Sequence, residues 1–530
     1  MMFRIQSFKQ AAFWSTAIGA FGQGLALLFG MLMAAIFGAQ DSTDVLYYCL
    51  GVFGLLSALI QQVNVSVLVP ETMRRREQTG EWDAMAFINR FLAVFGGVVA
   101  AVTGLMLLHP AGVLTAISRF PVEMMERNRE LVLWLVIAFP LQMMAQLLLD
   151  ILVSYRFLTL PVVLSCVGRV INIVFMLAFH RRWGVMAAAM GMVIGFGLQI
   201  VVNVWLLKRI VHWRWRAWRT RIGALVYQNI LWTELGTVAS ALASYLPLFL
   251  FSGFSVGALT ALNYAQRMSR VPMDLLTAQF SSVTAVKFNE LMARRQEEEL
   301  NLSFGRIVRV AVFILMPLSI LMALVGFDLI AILFGRGRFQ GEALRLTALL
   351  FSVFMLNLPL TGFMTVLARY LVAHQAIRYG VLWQIFSNGL NMVVVAISIS
   401  VWGAIGYPIG LFIHLLAYML IISVSMARRF PSLKLWPVWR SFVATAAAGG
   451  IAGVPVVLFR AWAGEGLAPW ATGLVSAGIY GLMYGAWLFV WPPDRMALAY
   501  CGNLIGALRD KGKRLSSSLR SSGGDRGIGE

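Results

Sequence analysis

An all-α polytopic membrane protein is the fold class this sequence predicts, and three observations predict it. Of 530 residues, 60% are hydrophobic and only 12% charged, with a mean hydropathy of +0.79; a water-soluble core has no use for so much apolar sequence. Apolar runs of about 20 residues, long enough to cross the hydrocarbon layer as helices, recur along the chain. Lys and Arg gather in alternate connections between those runs, as they do when short loops are held on the cytoplasmic side.

Taken in order, the runs give about fourteen candidate spans, with cores near 11–37, 45–69, 87–108, 131–154, 161–180, 185–207, 225–251, 257–285, 307–334, 344–368, 379–400, 403–427, 441–460 and 468–491. With the N-terminus inside, the basic clusters follow even-numbered spans: Arg74 to Arg76, Arg156, Lys208 to Arg221, Lys287 with Arg294 and Arg295, Arg369 with Arg378, and Arg428 to Arg440. Loops near 38–44, 252–257 and 401–405 have no Lys or Arg. The exceptions are Arg119, Arg127 and Arg129, offset by Glu123, Glu126 and Glu130, and the pairs Arg181 with Arg182 and Arg336 with Arg338. Both termini are therefore expected in the cytoplasm. The first run is too long for a signal-peptide core and lacks a small-residue cleavage site, so it reads as a retained span.

Between the sixth and seventh spans, residues 208–224 interleave Trp213, Trp215 and Trp218 with Arg214, Arg216 and Arg219. Flanked by spans, this reads as a basic amphipathic linker in the membrane interface rather than a nucleic-acid surface. The net charge of +20 likewise reads as an orientation signal and an attraction to anionic membrane lipids, with no nucleic-acid partner. The linker divides the chain into residues 1–207 with spans one to six and 225–427 with spans seven to twelve, as in a transporter with parallel repeats. Spans thirteen and fourteen, in 428–491, are then an addition, and 492–530 form a cytoplasmic tail, largely disordered from its Ser, Gly and Arg content.

The strongest functional signal lies in the eighth span, where Asn263, Arg267, Arg270, Asp274, Thr277 and Ser281 follow one another at steps of four, three, four, three and four. That spacing is one helix face. An arginine at membrane depth costs at least about 2.5 kcal/mol and is kept where it faces a wet cavity or a partner, so the stripe points to a polar, net-positive cavity. Asp274, four residues after Arg270, is placed to pair with it, which leaves Arg267 as the freer anion ligand. Shorter polar stripes accompany this one: Ser57, Gln61 and Asn64; Gln142, Gln146 and Asp150; Ser165, Arg169 and Asn172; Gln384, Asn388 and Asn391. Any one of them suits interhelical hydrogen bonding; together with the arginines they indicate a shared hydrated cavity.

Other chemistries find little support. Five histidines form no HExxH or paired spacing, three scattered cysteines form no CxxC, and so neither a metal nor another cofactor is expected. Gly335-Arg336-Gly337-Arg338-Phe339 lacks the strand, helix and lysine of a phosphate loop and reads as a turn. No connection is long enough for a catalytic domain, and the chain is read as a transporter, not an enzyme.

Asn263-Tyr264-Ala265-Gln266-Arg267 followed by Pro272, and Phe334-Gly335-Arg336-Gly337-Arg338-Phe339, resemble the MurJ/MviN lipid II flippases of the MOP exporter superfamily. Val69-Pro70-Glu71, Tyr155-Arg156-Phe157, Ala368-Arg369 and His374-Gln375-Ala376-Ile377-Arg378 look like further family positions, so the resemblance extends over roughly residues 11–430. It implies fourteen spans, two six-helix lobes around a central cationic cavity with two extra C-terminal helices, and alternating access that exports an undecaprenyl-pyrophosphate-linked glycan for peptidoglycan synthesis across the bacterial inner membrane. By the same resemblance Arg267 matches the cavity arginine and Asp44 the acidic residue at the start of the second span. The basic residues expected in the first two spans are absent, where this chain has Gly51, Gly54, Ser57 and Ala58, and the family's acidic stretch reads Ile60-Gln61-Gln62-Val63.

The expected substrate-binding set is therefore Arg267, Arg270, Asn263, Asp274, Arg169, Gln61, Asn64, Asp44 and Asn388. The expected partners are a lipid-linked glycan precursor, anionic lipids and cell-envelope biosynthesis enzymes, with coupling to the membrane potential or a monovalent cation. A flippase for an exopolysaccharide or O-antigen repeat unit is the alternative; a cation-coupled drug antiporter, with Asp150 or Glu234 as its lone carboxylate, is disfavoured because the arginines repel cationic drugs. A membrane glycosyltransferase is a third and weaker reading.

Overall fold

The computed structural model describes residues 8–155, 157, 159–215, 224–463 and 466–502. Among them every regular element is helical, as expected where lipid offers no partner for backbone N–H and C=O groups. Part of linker 208–224 and most of tail 492–530, namely 216–223 and 503–530, lie outside the described residues.

Eleven helical stretches among the described residues are long and apolar enough to cross a membrane, or twelve if the bent pair Glu342–Met355 and Leu358–Ala373 is one span. The difference from fourteen has a physical origin. Arg378–Arg429 counts as one stretch, although it comprises the helices Ile377–Trp402 and Gly406–Arg429 with a single turn between them. The Ala258–Ala293 helix is not among the eleven, because Arg267, Arg270 and Asp274 interrupt its apolar sequence.

The chain forms two compact units. The first comprises Met1–Val271, Ile330–Leu350 and Val381–Leu411. Its Phe8–Phe37 helix ends at Gly38, whose φ of +69° no branched residue adopts cheaply. The next helix, Asp41–Val63, starts where Thr43 Oγ1 accepts from the Gln40 N–H at 2.9 Å, and runs through a π-turn at Asn64–Leu68 into Val69–Gln78. Helices Leu160–Trp183 and Met186–Leu206 approach closely: a β-carbon on Gly195 would lie 3.0 Å from the Gly168 carbonyl oxygen. Small residues at such a crossing allow backbone contact that lipid-solvated side chains do not supply. The described part of the linker docks on the Glu81–Leu108 helix, with Trp213 Nε1 donating to Asn89 Oδ1 at 2.7 Å and Asn89 Nδ2 to the Arg214 carbonyl at 2.9 Å.

Residues 335–338 are a turn in this unit, and the turn is fastened to the first helix. The Arg338 N–H donates to the Ala35 carbonyl at 3.0 Å, Gly337 has φ +64°, and a β-carbon there would stand 2.1 Å from the same carbonyl oxygen. Beside it Tyr264 is fully buried, stacked on Phe334 and edge-on to Tyr47 and Phe339.

The second unit comprises Pro272–Leu329, Phe351–Gly380 and Phe412–Glu530. The Glu297–Leu324 helix packs against Leu358–Ala373, Trp436–Ala463 and Pro469–Val490. A polar chain ties one end, Tyr370 Oη donating to Asn301 Oδ1 at 2.5 Å and Asn301 Nδ2 to Ser432 Oγ at 2.7 Å. Near the middle of the same helix, Arg309 grips Asp494 through Nε and Nη2, both at 2.6 Å.

Candidate substrate-binding site

Within the first unit a cavity of about 400 Å³ is lined by Arg169, Arg267, Gln142, Gln146, Asn172 and Gln199 among others, and no carboxylate lines it. Both arginines lean on the Phe8–Phe37 helix. Arg267 Nη1 donates to the Ala26 carbonyl at 3.0 Å, and Arg169 Nη1 donates to the Gly22 carbonyl one turn earlier. The approach is one of ordinary contact: a β-carbon on Gly30 would lie 3.4 Å from Arg267 Cδ, and one on Gly22 would lie 3.4 Å from Arg169 Nη1. Each guanidinium has further N–H donors, and neither forms an ion pair among the described residues. The arrangement sets two guanidiniums, Arg267 half-buried and Arg169 exposed, beside amide side chains, and planar guanidiniums suit bidentate contact with an anion.

A second cavity of about 330 Å³ shares Gln146, Ser165 and Arg169 with the first and adds Asp150. Asp150 is buried; it accepts from Asn64 Nδ2 at 2.9 Å and Gln146 Nε2 at 3.2 Å. Asn64, at the start of the π-turn, faces this carboxylate and does not line the arginine cavity.

The structure thus brings Arg267 and Arg169 together, and places the other expected residues elsewhere. Asp44 lies apart from that cavity: its buried carboxylate accepts from the Gly257 N–H at 2.6 Å, the Thr260 N–H at 2.8 Å and Thr260 Oγ1 at 2.5 Å. It caps the start of the Ala258–Ala293 helix, where a negative charge complements the helix dipole, and it has no reach into the cavity. Arg270 and Asp274 are exposed, and neither forms an ion pair among the described residues; a pair at this spacing gains only about 0.3–0.5 kcal/mol, too little to fix two mobile side chains. Asn263 is half-buried with an unpartnered Oδ1, and Gln61 is exposed. Asn388 belongs to another cluster, its Nδ2 donating to Ser240 Oγ at 2.9 Å beside Gln384. Glu234 is half-buried and lines neither cavity.

Sequence reasoning missed Gln199 and the two carbonyl anchors. The repeat Gly22, Ala26 and Gly30, at steps of four, was the available signal for a helix face that admits close neighbours.

Comparison with known proteins adds lineage to this geometry. A family model described as lipid II flippase MurJ matches residues 33–475. A relative from Buchnera aphidicola subsp. Acyrthosiphon pisum (strain APS), named "Probable lipid II flippase MurJ", is 22% identical over 432 residues, covering 75% of this chain and 80% of the relative. Among solved structures, a lipid II flippase MurJ in an inward closed conformation superposes with a TM-score of 0.71 at 16% identity, over 94% of this chain and 99% of that one. An inward-facing multidrug resistance MATE family transporter of the MOP superfamily reaches 0.63 at 14% identity, over 80% and 99%.

Proposed function

The chain belongs to the MurJ family of lipid II flippases, multi-pass inner-membrane transporters of a lipid-linked precursor and not enzymes, and from that premise we propose that it exports an undecaprenyl-pyrophosphate-linked, lipid II-type glycan. The observation that carries the reading is the cavity holding Arg267 and Arg169 with no carboxylate. A guanidinium keeps its charge at every physiological pH and offers parallel N–H donors to phosphate oxygens, so two of them fit a pyrophosphate and reject the cations an antiporter would carry. In this reading residues 1–207 and 225–427 act as the two lobes of an alternating-access cycle, both termini face the cytoplasm, and the membrane potential or a monovalent cation supplies the drive. Envelope-biosynthesis enzymes are the partners that deliver and use the lipid.

Arg169, in the fifth span, takes the place of the basic residues that the first two spans lack. That displacement favours keeping one second reading, an exopolysaccharide or O-antigen repeat unit on the same pyrophosphate carrier. Depletion of the host's lipid II flippase tests the choice: restored growth and restored surface exposure of lipid II on expressing this chain are expected. No rescue, with translocation of a different lipid-linked repeat unit in vesicles, would select the second reading.

A further inference from the structure

The second unit holds a cavity of about 670 Å³ that the substrate reading does not use. It lies where the Trp436–Ala463 helix begins and the Pro469–Val490 helix ends. Its charged lining is Arg309, Arg440, Arg495 and Asp494. The carboxylate is fully engaged: besides its two bonds from Arg309, Asp494 Oδ1 accepts from the Ala497 N–H at 3.0 Å. Arg440 and Arg495 are exposed and form no ion pair among the described residues. Two positive charges are left facing the cavity without a counter-charge, and the adjacent helix start adds the positive end of its dipole.

The rim sets the depth. Trp436 and Trp491 are 77% and 72% exposed, and Trp487 also lines the cavity. Indoles exposed at a span's end sit at the headgroup level, where the ring meets acyl chains and the N–H meets water. A basic pocket between spans at that level meets lipid phosphates before any other anion. We propose that this cavity binds the phosphate head of an anionic membrane lipid of the phosphatidylglycerol type, with Arg440 and Arg495 as its ligands and Arg309–Asp494 as the strut that shapes it. Solvated positive-inside charges alone do not predict this, because they are neither gathered in a cavity nor rimmed by tryptophan.

The test uses the purified full chain in zwitterionic detergent and follows thermal unfolding during titration with phosphatidylglycerol, phosphatidylcholine or inorganic phosphate. Saturable stabilisation by phosphatidylglycerol alone is expected. The R440A/R495A double variant, which leaves the Arg309–Asp494 strut in place, should melt normally without lipid and bind phosphatidylglycerol about thirtyfold more weakly, with R440K/R495K largely restoring it. Equal stabilisation by phosphatidylcholine, or undiminished binding by the double variant, would overturn the site; full stabilisation by inorganic phosphate would overturn its assignment to a lipid. Because binding is read without transport, the result stands apart from the identity of the exported glycan.

Discussion

Arg267 engages one N–H with the Ala26 carbonyl and keeps its remaining donors toward the cavity, so its alanine variant tests ligand against strut. If it grips substrate phosphate, Arg267→Ala should cut translocation in vesicles at least about tenfold, the worth of a charge-assisted contact, at unchanged protein yield. Arg267→Lys should keep part of the rate, since the charge survives and the bidentate grip does not; Arg169→Ala should behave like Arg267→Ala. Normal rates in both alanine variants would remove the cavity from the mechanism. A different residue-scale prediction concerns Asp494, which lies beyond the last described span. Burial pushes its carboxyl up, but the Arg309 guanidinium and the Ala497 N–H outweigh burial and hold it below the usual carboxylate value of 3.8. A depressed value means that the pair stabilises the fold above that pH and that the contribution is lost as pH falls through the lowered value. Asp494→Asn should therefore lower the melting temperature at pH 7, by about 3 kcal/mol or more of stability, and the gap to the parent protein should close only below about pH 4. A gap that closes near pH 6 would show that another group carries it.

At the scale of the element, spacing told which residues share a helix face and left open which neighbour that face meets. Asn263, Arg267 and Arg270 are one stripe in sequence, yet only Arg267 among them lines the cavity, where the Ala26 carbonyl accepts from its guanidinium. Ser165, Arg169 and Asn172 were legible as a stripe and all line it. Asn64 was legible as polar, but the π-turn that directs it to Asp150 has no sequence signature. Asp44 was assigned by likeness to a cavity and is in fact sealed against Gly257 and Thr260, a pairing over more than two hundred residues that no local pattern reveals. The glycine-rich turn is where element-scale reasoning reaches furthest. Gly337 combines a left-handed φ with contact to the Ala35 carbonyl, so Gly337→Ala should destabilise by more than the roughly 1 kcal/mol of the backbone conformation alone. Gly341 also has φ +65° but meets nothing within 4 Å; Gly341→Ala should show the conformational cost only. Equal losses of thermal stability in the two variants would mean that the fastening to the first helix contributes nothing.

For the whole molecule, the excess of 43 basic over 23 acidic residues and its distribution along the loops predict the proposed orientation, and orientation sets how the membrane field acts on cargo. Moving one negative charge from an inside-negative compartment outward gains about 2.3 kcal/mol per 100 mV. A pyrophosphate bound between Arg267 and Arg169 crosses together with those two positive charges only if they move through the field with it; if the arginines stay in place, the cargo's charge is felt by the field and export is voltage-driven. The expected outcome in vesicles of fixed orientation is that an inside-negative potantial speeds outward translocation of the lipid-linked glycan severalfold and that dissipating it restores the slow rate. Arg267→Lys, which preserves charge, should keep the same voltage dependence at a lower rate. A rate indifferent to potential, yet sensitive to a sodium or proton gradient, would transfer the drive from the field to a coupled cation, for which buried Asp150, lining the cavity that shares Arg169 and Gln146 with the first, is the candidate carboxylate.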